Sequence, residues 1–198
     1  MKKNIALILI LVVLLVGAAG LTTYAVWPTE GSSSDNADII SDNQNSAEKY
    51  FVFKALVNSG SDVMALPLDE VENVNLIIGF AVSEYNGAVD NITIPSTFSY
   101  KTALNLPVKA ILNTAFSQQS AKEIVTVVFI PSSVDRIDSA AFMNMRELSQ
   151  VTIQGSGTIN IGDYAFMNCS KLYAFNCSKT IIASPRAFVN CPINPILG

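Results

Sequence analysis

Val125-Thr-Val-Val-Phe-Ile-Pro131-Ser-Ser-Val-Asp-Arg-Ile137-Asp-Ser-Ala-Ala-Phe142 sets out a pattern that the chain then repeats. Leu148-Ser-Gln-Val-Thr-Ile153 followed by Ile161-Gly-Asp-Tyr-Ala-Phe166-Met-Asn-Cys169 is a second copy. Leu172-Tyr-Ala-Phe-Asn-Cys177 followed by Arg186-Ala-Phe188-Val-Asn-Cys191 is a third. The marker pair Ala-Phe stands at Ala115-Phe116, Ala141-Phe142, Ala165-Phe166 and Ala187-Phe188, with the phenylalanines 26, 24 and 22 residues apart. Self-similarity at such a period marks a solenoid, in which each unit buries its apolar face only against its neighbours.

The other positions keep step. Ile111, Ile137 and Ile161 stand five residues before the first three phenylalanines, with Ala183 in the last copy. Each copy carries an apolar run with 0, +3, +5 spacing: Val125/Val128/Ile130, Leu148/Val151/Ile153 and Leu172/Phe175/Cys177. Its last two members alternate as a strand does. Pro95 and Pro131 end such runs, because proline cannot donate to a strand ladder. The Ala-Phe-x-Asn-Cys segment lacks alternation and is too short for a full helix, so it is expected as one helical or 3₁₀ turn. Each copy is therefore read as a strand, a turn and a short turn of helix. The aromatic rings Phe80, Phe116, Phe142, Phe166 and Phe188 are expected to form one column as the structural core of the repeat.

These residues resemble the BspA-type leucine-rich repeat family, whose consensus Leu-x-x-Val-x-Ile-Pro-x-x-Val-x-x-Ile-x-x-x-Ala-Phe-x-x-Cys recurs at roughly 23 residues. Val125–Phe142 fits it at every marked position. Leu148–Cys169 departs only by Gln154 in place of the proline and one inserted residue. The resemblance covers about three-quarters of the chain. It implies an α/β, strand-dominated leucine-rich repeat solenoid of about four to five coils with a parallel sheet. A parallel β-helix is the alternative architecture.

Residues 1–27 read as a membrane segment: Lys2 and Lys3 precede the uncharged apolar run Ile5–Val26, and Trp27 and Pro28 close it. Two readings stay open, an uncleaved transmembrane anchor and a signal peptide cleaved near Val16-Gly-Ala18 or Thr23-Tyr-Ala25. Both place the remainder outside the cell, membrane-bound with a cytoplasmic N-terminus in the first case and secreted in the second. Residues 28–48 form a linker with five acids and no base, too poor in apolar groups to fold and expected as a flexible stalk.

Residues 49–198 are the repeat domain, with 49–115 degenerate and 116–198 well formed. Tyr50–Val57 reads as a strand able to cap the stack, and Val63-Met-Ala-Leu-Pro67 with Val71 and Val74 as a weak repeat. Phe80 and the run Val89/Ile92/Ile94 then read as a further copy. Its distance to Phe116 is lengthened by ten extra residues around Ser96–Tyr100, placed in one loop. At the C-terminus, Pro192, Pro195, Ile196 and Leu197 either cover the last coil themselves or precede further coils. A bare end would also allow self-association.

Chemistry is scarce. The chain has no histidine, which removes the commonest general base, the commonest metal ligand and every Ser-His or Cys-His pair. No phosphate-binding glycine loop or dinucleotide motif occurs, and a net charge of −4 does not favour nucleic acid. The close carboxylates Asp135/Asp138, beside Arg136, and Asp69/Glu70/Glu72 read as solvated turns. Neither an enzyme nor a cofactor or metal site is expected. Cys169 and Cys191 fall on adjacent coils where a disulfide is possible, but Met145 in the same slot favours buried free thiols. Three thiols at these spacings do not match a zinc site.

What remains is surface. Between the inward residues of successive strands lie Thr93, Phe129, Thr152 and Asn176, with Val127 near Phe129. This row is the candidate binding face for an unknown protein or surface ligand. An apolar ring at an outward slot is read either as a protein contact or as packing beneath the long loop 96–107. The expected role is an extracytoplasmic recognition or adhesion module. The alternative is a structural surface module that self-associates through the repeat stack.

Overall fold

The computed structural model describes residues 48–101 and 104–195. The apolar segment 1–27 and the linker 28–48, apart from Glu48, lie outside them. Among the described residues no helix is long and apolar enough to cross a membrane.

The strands, in chain order, are β1 (Phe51–Ser59), β2 (Asp62–Leu66), β3 (Ile77–Tyr85), β4 (Asn91–Thr93), β5 (Thr97–Tyr100) and β6 (Leu104–Ile111). A short helix α1 (Gln119–Ile124) follows, then β7 (Val127–Ile130), β8 (Arg136–Ile137), β9 (Gln150–Ile153), β10 (Thr158–Ile161), β11 (Ala174–Cys177) and β12 (Thr180–Ala183). They form two sheets. The larger runs β12-β10-β8-β6-β3-β1-β2 with β5 paired to β6, and the smaller runs β11-β9-β7-β4. Pairing between coils is parallel throughout, from β4 to β11 and from β3 to β12. The chain is thus a strand-dominated solenoid whose one side is a long mixed sheet and whose other is a short parallel one.

Each well-formed coil holds two strands, not the one expected. The second comes after the corner, where Thr158-Ile-Asn-Ile161 and Thr180-Ile-Ile-Ala183 pair in register. Ile159 and Ile161 point inward and Thr158 and Asn160 outward, an alternation that only a pleated strand produces. The third side of the coil is the Ala-Phe turn. It is not a helical turn. Thr114, Ala140 and Tyr164, two residues before Phe116, Phe142 and Phe166, have φ of 57, 56 and 59°. Asn144, Asn168 and Asn190, two residues after, have φ of 66, 61 and 59°. These left-handed residues break any run of helical hydrogen bonds, leaving isolated i→i+3 turns such as Met143 N to Ala140 O and Met145 N to Phe142 O.

The asparagines also bond to one another. Asn190 Nδ2 donates to Asn168 Oδ1, and Asn168 Nδ2 to Asn144 Oδ1, each at 2.8 Å. Asparagine suits the slot twice over: it tolerates the left-handed backbone, and its amide both donates and accepts along the stack. Asn168→Ala should therefore cost about 1–2 kcal/mol. Asn168→Gly should cost less, because glycine keeps the backbone relaxed while losing the same amide bonds. Urea midpoints ranked wild type, glycine, alanine are the expected result; alanine at or above glycine would remove the backbone part of the argument.

Inside, the rings of Phe116, Phe142, Phe166 and Phe188 stack with centroids 4.5, 5.0 and 5.1 Å apart and planes within 21°. Phe116, Phe142 and Phe166 are fully buried. Burial of each such ring contributes about 1.5–3 kcal/mol. Phe80 does not belong to this column. It sits in mid-strand opposite Val108, and its ring meets Phe98 edge-on at 5.0 Å. The place next to Phe116 is taken by Tyr85, stacked at 5.3 Å. The backbone agrees: Tyr85 N donates to Ala115 O as Phe116 N does to Ala141 O and Phe142 N to Ala165 O.

The N-terminal half departs further from the repeat. β1 is antiparallel to β3 and to β2, so a hairpin flanks the parallel strands. Val63 and Met64 are exposed and β2 ends the larger sheet, so Val63–Leu66 belongs to an edge strand rather than a coil, with Pro67 just past it. Val89 is likewise exposed and is not the first inward residue of its run, whereas Ile92 and Ile94 are buried. The ten-residue insertion is no loop. It forms β5 and lengthens β6 into an antiparallel pair. Its Phe98 stacks on Phe53 at 4.2 Å, and Tyr100 Oη donates to Leu68 O at 2.7 Å. At the other end Phe175 meets Phe166 and Phe188 edge-on at 5.4 and 5.2 Å, and Ile193 packs on the core while Pro192 is exposed. Ile196 and Leu197 lie outside the described residues.

Candidate binding face

The smaller sheet places the predicted row in register. Thr93 pairs with Phe129, Phe129 with Thr152, and Thr152 with Asn176. A second outward row, Asn91, Val127, Gln150 and Ala174, lies beside it. Between them Ile92, Val128 and Val151 point into the core. The two rows contain no charged side chain. Gln150 Nε2 donates to Thr152 Oγ1 at 3.3 Å, linking the rows.

Phe129 is 36% exposed. The insertion does not cover it, since Phe98 turns to Phe53 and Phe80 instead. The ring forms part of a shallow hollow of about 290 Å³ with Thr93, Ile130, Pro131 and Gln154. An aromatic face held on a rigid sheet and flanked by hydroxyls and amides offers area at low entropic cost, as recognition surfaces do.

A second concavity, unforeseen in the sequence, lies on the outer face of the larger sheet. Asn113, Arg136, Asp138, Asn160, Ile182 and Ser184 line it, with a volume of about 570 Å³. Arg136 opens β8 and Asp138 follows it, so the carboxylates read as a turn stand at a strand end. Arg136 Nε is 2.9 Å from Asp138 Oδ1, yet it lies off the N–H axis and makes no hydrogen bond. Burial raises the Asp138 pKa, against the opposing pull of Arg136. The signal for this groove is Arg136 before Ile137 and Asn160 before Ile161, legible only once that half-coil is known to be a strand.

The three cysteines are free thiols. Cys169 Sγ donates to Phe142 O and Cys191 Sγ to Phe166 O, each reaching back one coil. The hydrogen bond to Cys191 and burial push the Cys169 thiol well above its usual pKa, whereas the same hydrogen bond lowers Cys191. Cys177 is half-buried at the end of β11. Among the described residues no group of three His, Cys, Asp or Glu is placed to hold a metal.

The sequence pattern described as "BspA type Leucine rich repeat region" matches residues 85–197 in six copies. No protein with a curated description matches the chain. Among solved structures, a leucine rich cell surface protein from Faecalibacterium prausnitzii A2-165 is similar at 27% identity and a TM-score of 0.49, over 65% of this chain and 32% of that one. The chain thus spans about a third of that protein's length. A leucine-rich repeat protein from Bacteroides capillosus ATCC 29799 is similar at 20% identity and a TM-score of 0.50, over 71% of this chain and 96% of that one. The matched repeats cover more than half of the sequence and coincide with the coils from Tyr85 onward: the chain belongs to the BspA-type leucine-rich repeat family.

Proposed function

We propose that the chain is an extracytoplasmic binding module that recognises a protein or surface ligand through the outer face of β4, β7, β9 and β11. The observation that carries this is the uncharged, in-register row Thr93, Phe129, Thr152 and Asn176 with Val127 beside it, centred on a partly exposed aromatic ring. Recognition there involves complementarity and no chemistry. The apolar segment after Lys2 and Lys3 supports display outside the membrane, anchored or secreted. Kinship with surface proteins of this repeat type is consistent with adhesion but names no partner.

Phe129→Asp in the full-length chain tests the face. Binding to a panel of immobilised matrix proteins should fall at least about tenfold for any protein the wild type captures, because a charge on a desolvated contact is costly. The thermal midpoint should hardly move, since the ring is partly exposed. Unchanged capture with an intact fold would dismiss this face.

A structural role is the second reading. The outer edges of β11 and β12 are unpaired among the described strands, and Ile182 on β12 is 58% exposed. Such edges favour end-to-end association. Light scattering at rising concentration decides it: a strict monomer ends the stacking reading.

A further inference from the structure

We propose that the groove over β8, β10 and β12 is a second binding site, separate from the Phe129 face, and that it takes a neutral saccharide unit. The register Arg136–Asn160–Ile182 lays three unlike side chains across adjacent coils, with Asp138 and Ser184 at the strand ends and Asn113 one coil away. The volume of about 570 Å³ falls inside the roughly 300–1,000 Å³ of small-molecule sites. The polar side chains Arg136, Asp138 and Asn160 are set among aliphatic surface from Ile161, Ile182 and Ala183, a mixture that suits a ring carrying both hydroxyls and a C–H face.

Three features select the ligand's chemistry. First, charge. Arg136 and Asp138 stand side by side, so an anion drawn to the guanidinium meets the carboxylate, and a cation meets the reverse. A ligand that gains from both must donate and accept at neighbouring atoms without net charge, as adjacent hydroxyls do. Second, geometry. Asn113, Asp138, Asn160 and Arg136 end in planar groups with paired donors or acceptors, which match two neighbouring hydroxyls bidentately. No hydrogen bond engages the Arg136 terminal amino groups or the Asn160 amide among the described residues, so they remain available. Third, Ile182 is 58% exposed beside these polar groups. It supplies an aliphatic wall for the C–H face of a sugar ring.

An extended peptide fits less well. Peptides gain affinity on sheets by adding to an edge. The groove lies over strand faces whose backbone groups are already paired between β8, β10 and β12. A peptide would go to the outer edge of β12 and leave Arg136 and Asn160 untouched.

The test uses the full-length chain in a detergent without a sugar headgroup. Cellotriose, maltotriose and chitotriose are titrated at millimolar concentration, with trigalacturonate as the anionic arm and trialanine as the peptide arm. The readouts are the ¹⁵N–¹H signals of Arg136 Nε and of the Asn113 and Asn160 amides. At least one neutral trisaccharide should shift all three, and trigalacturonate and trialanine should not. Asn160→Ala, an exposed position, should weaken that binding at least tenfold with the thermal midpoint kept. Asp138→Asn should weaken it less, because the amide preserves one acceptor. Phe129→Asp should leave it unchanged, which separates this site from the proposed face. The proposal is overturned if no neutral trisaccharide moves these signals, if only the anionic or peptide arm does, or if the shifts survive Asn160→Ala.

Discussion

Phe142→Ala should destabilise the domain by about 3–5 kcal/mol. Phe142 is fully buried and stacked on both sides, against Phe116 at 4.5 Å and Phe166 at 5.0 Å. The cavity left by its removal cannot collapse easily. Each flanking ring belongs to a coil held by ladders in two sheets and by the turn bonds Phe116 N to Ala141 O and Phe142 N to Ala165 O. The backbone therefore keeps the coils apart while the packing between them is lost. Because a solenoid is coupled only through nearest neighbours, the variant should also unfold less cooperatively, with a lower denaturant slope. Phe188→Ala should cost less, since that ring has a stacked partner on one side only. Denaturant unfolding of both variants decides the matter. Equal losses at Phe142 and Phe188, or a loss at Phe142 below about 1.5 kcal/mol, would mean that the column is not the main tie between coils.

Lys179→Met should cost about 2–4 kcal/mol although it removes a charge and adds an apolar side chain. Lys179 is 8% exposed, and its Nζ donates to Ser132 O at 2.8 Å and to Val134 O at 2.6 Å. Those carbonyls belong to the corner after β7, two coils before Lys179. The side chain passes the intervening corner, where a Cβ on Gly155 would stand 3.7 Å from Lys179 Cε. Gly155 has φ of +97°, and a Cβ there would meet Ser132 Cβ at 2.5 Å. A methionine of similar length fills the space but leaves two carbonyls without their donor. Arginine should not restore stability, because its broad planar fork replaces a compact ammonium. Gly155→Ala should damage the same corner. The double variant should then lose less than the sum of the singles, since each disturbs one arrangement. Strict additivity in denaturant midpoints would show that Lys179 and Gly155 act separately.

Much of this molecule can be read from the residues because a solenoid repeats its instructions. The inward positions Val128, Ile130, Val151 and Ile153, the column from Phe116 to Phe188 and the outward row Thr93, Phe129, Thr152 and Asn176 recur at a near-constant interval. Stacking then turns equal sequence positions into spatial neighbours. The second strand of each coil was harder. Arg136-Ile137 is two residues long and has no periodicity of its own. It becomes a strand only because β6 and β10 lie on either side of it. The left-handed turns were hidden for the same kind of reason. Ala140 and Tyr164 are not residues that favour φ near 60°, and they adopt it because the coil must close on the next Ala-Phe pair.

The residues alone specify the period, the inward and outward sets of the clear coils, and the family to which they belong. Those properties are local and repeated, so each copy confirms the last. Tertiary structure alone decided that Tyr85 rather than Phe80 continues the column, that the ten inserted residues make a hairpin, and that Lys179 spans two corners. It also decided that Arg136, Asp138, Asn160 and Ile182 share a groove. Each of these depends on contacts between segments that do not repeat one another. Their partners are set by which buried groups remain unsatisfied once the coils have stacked.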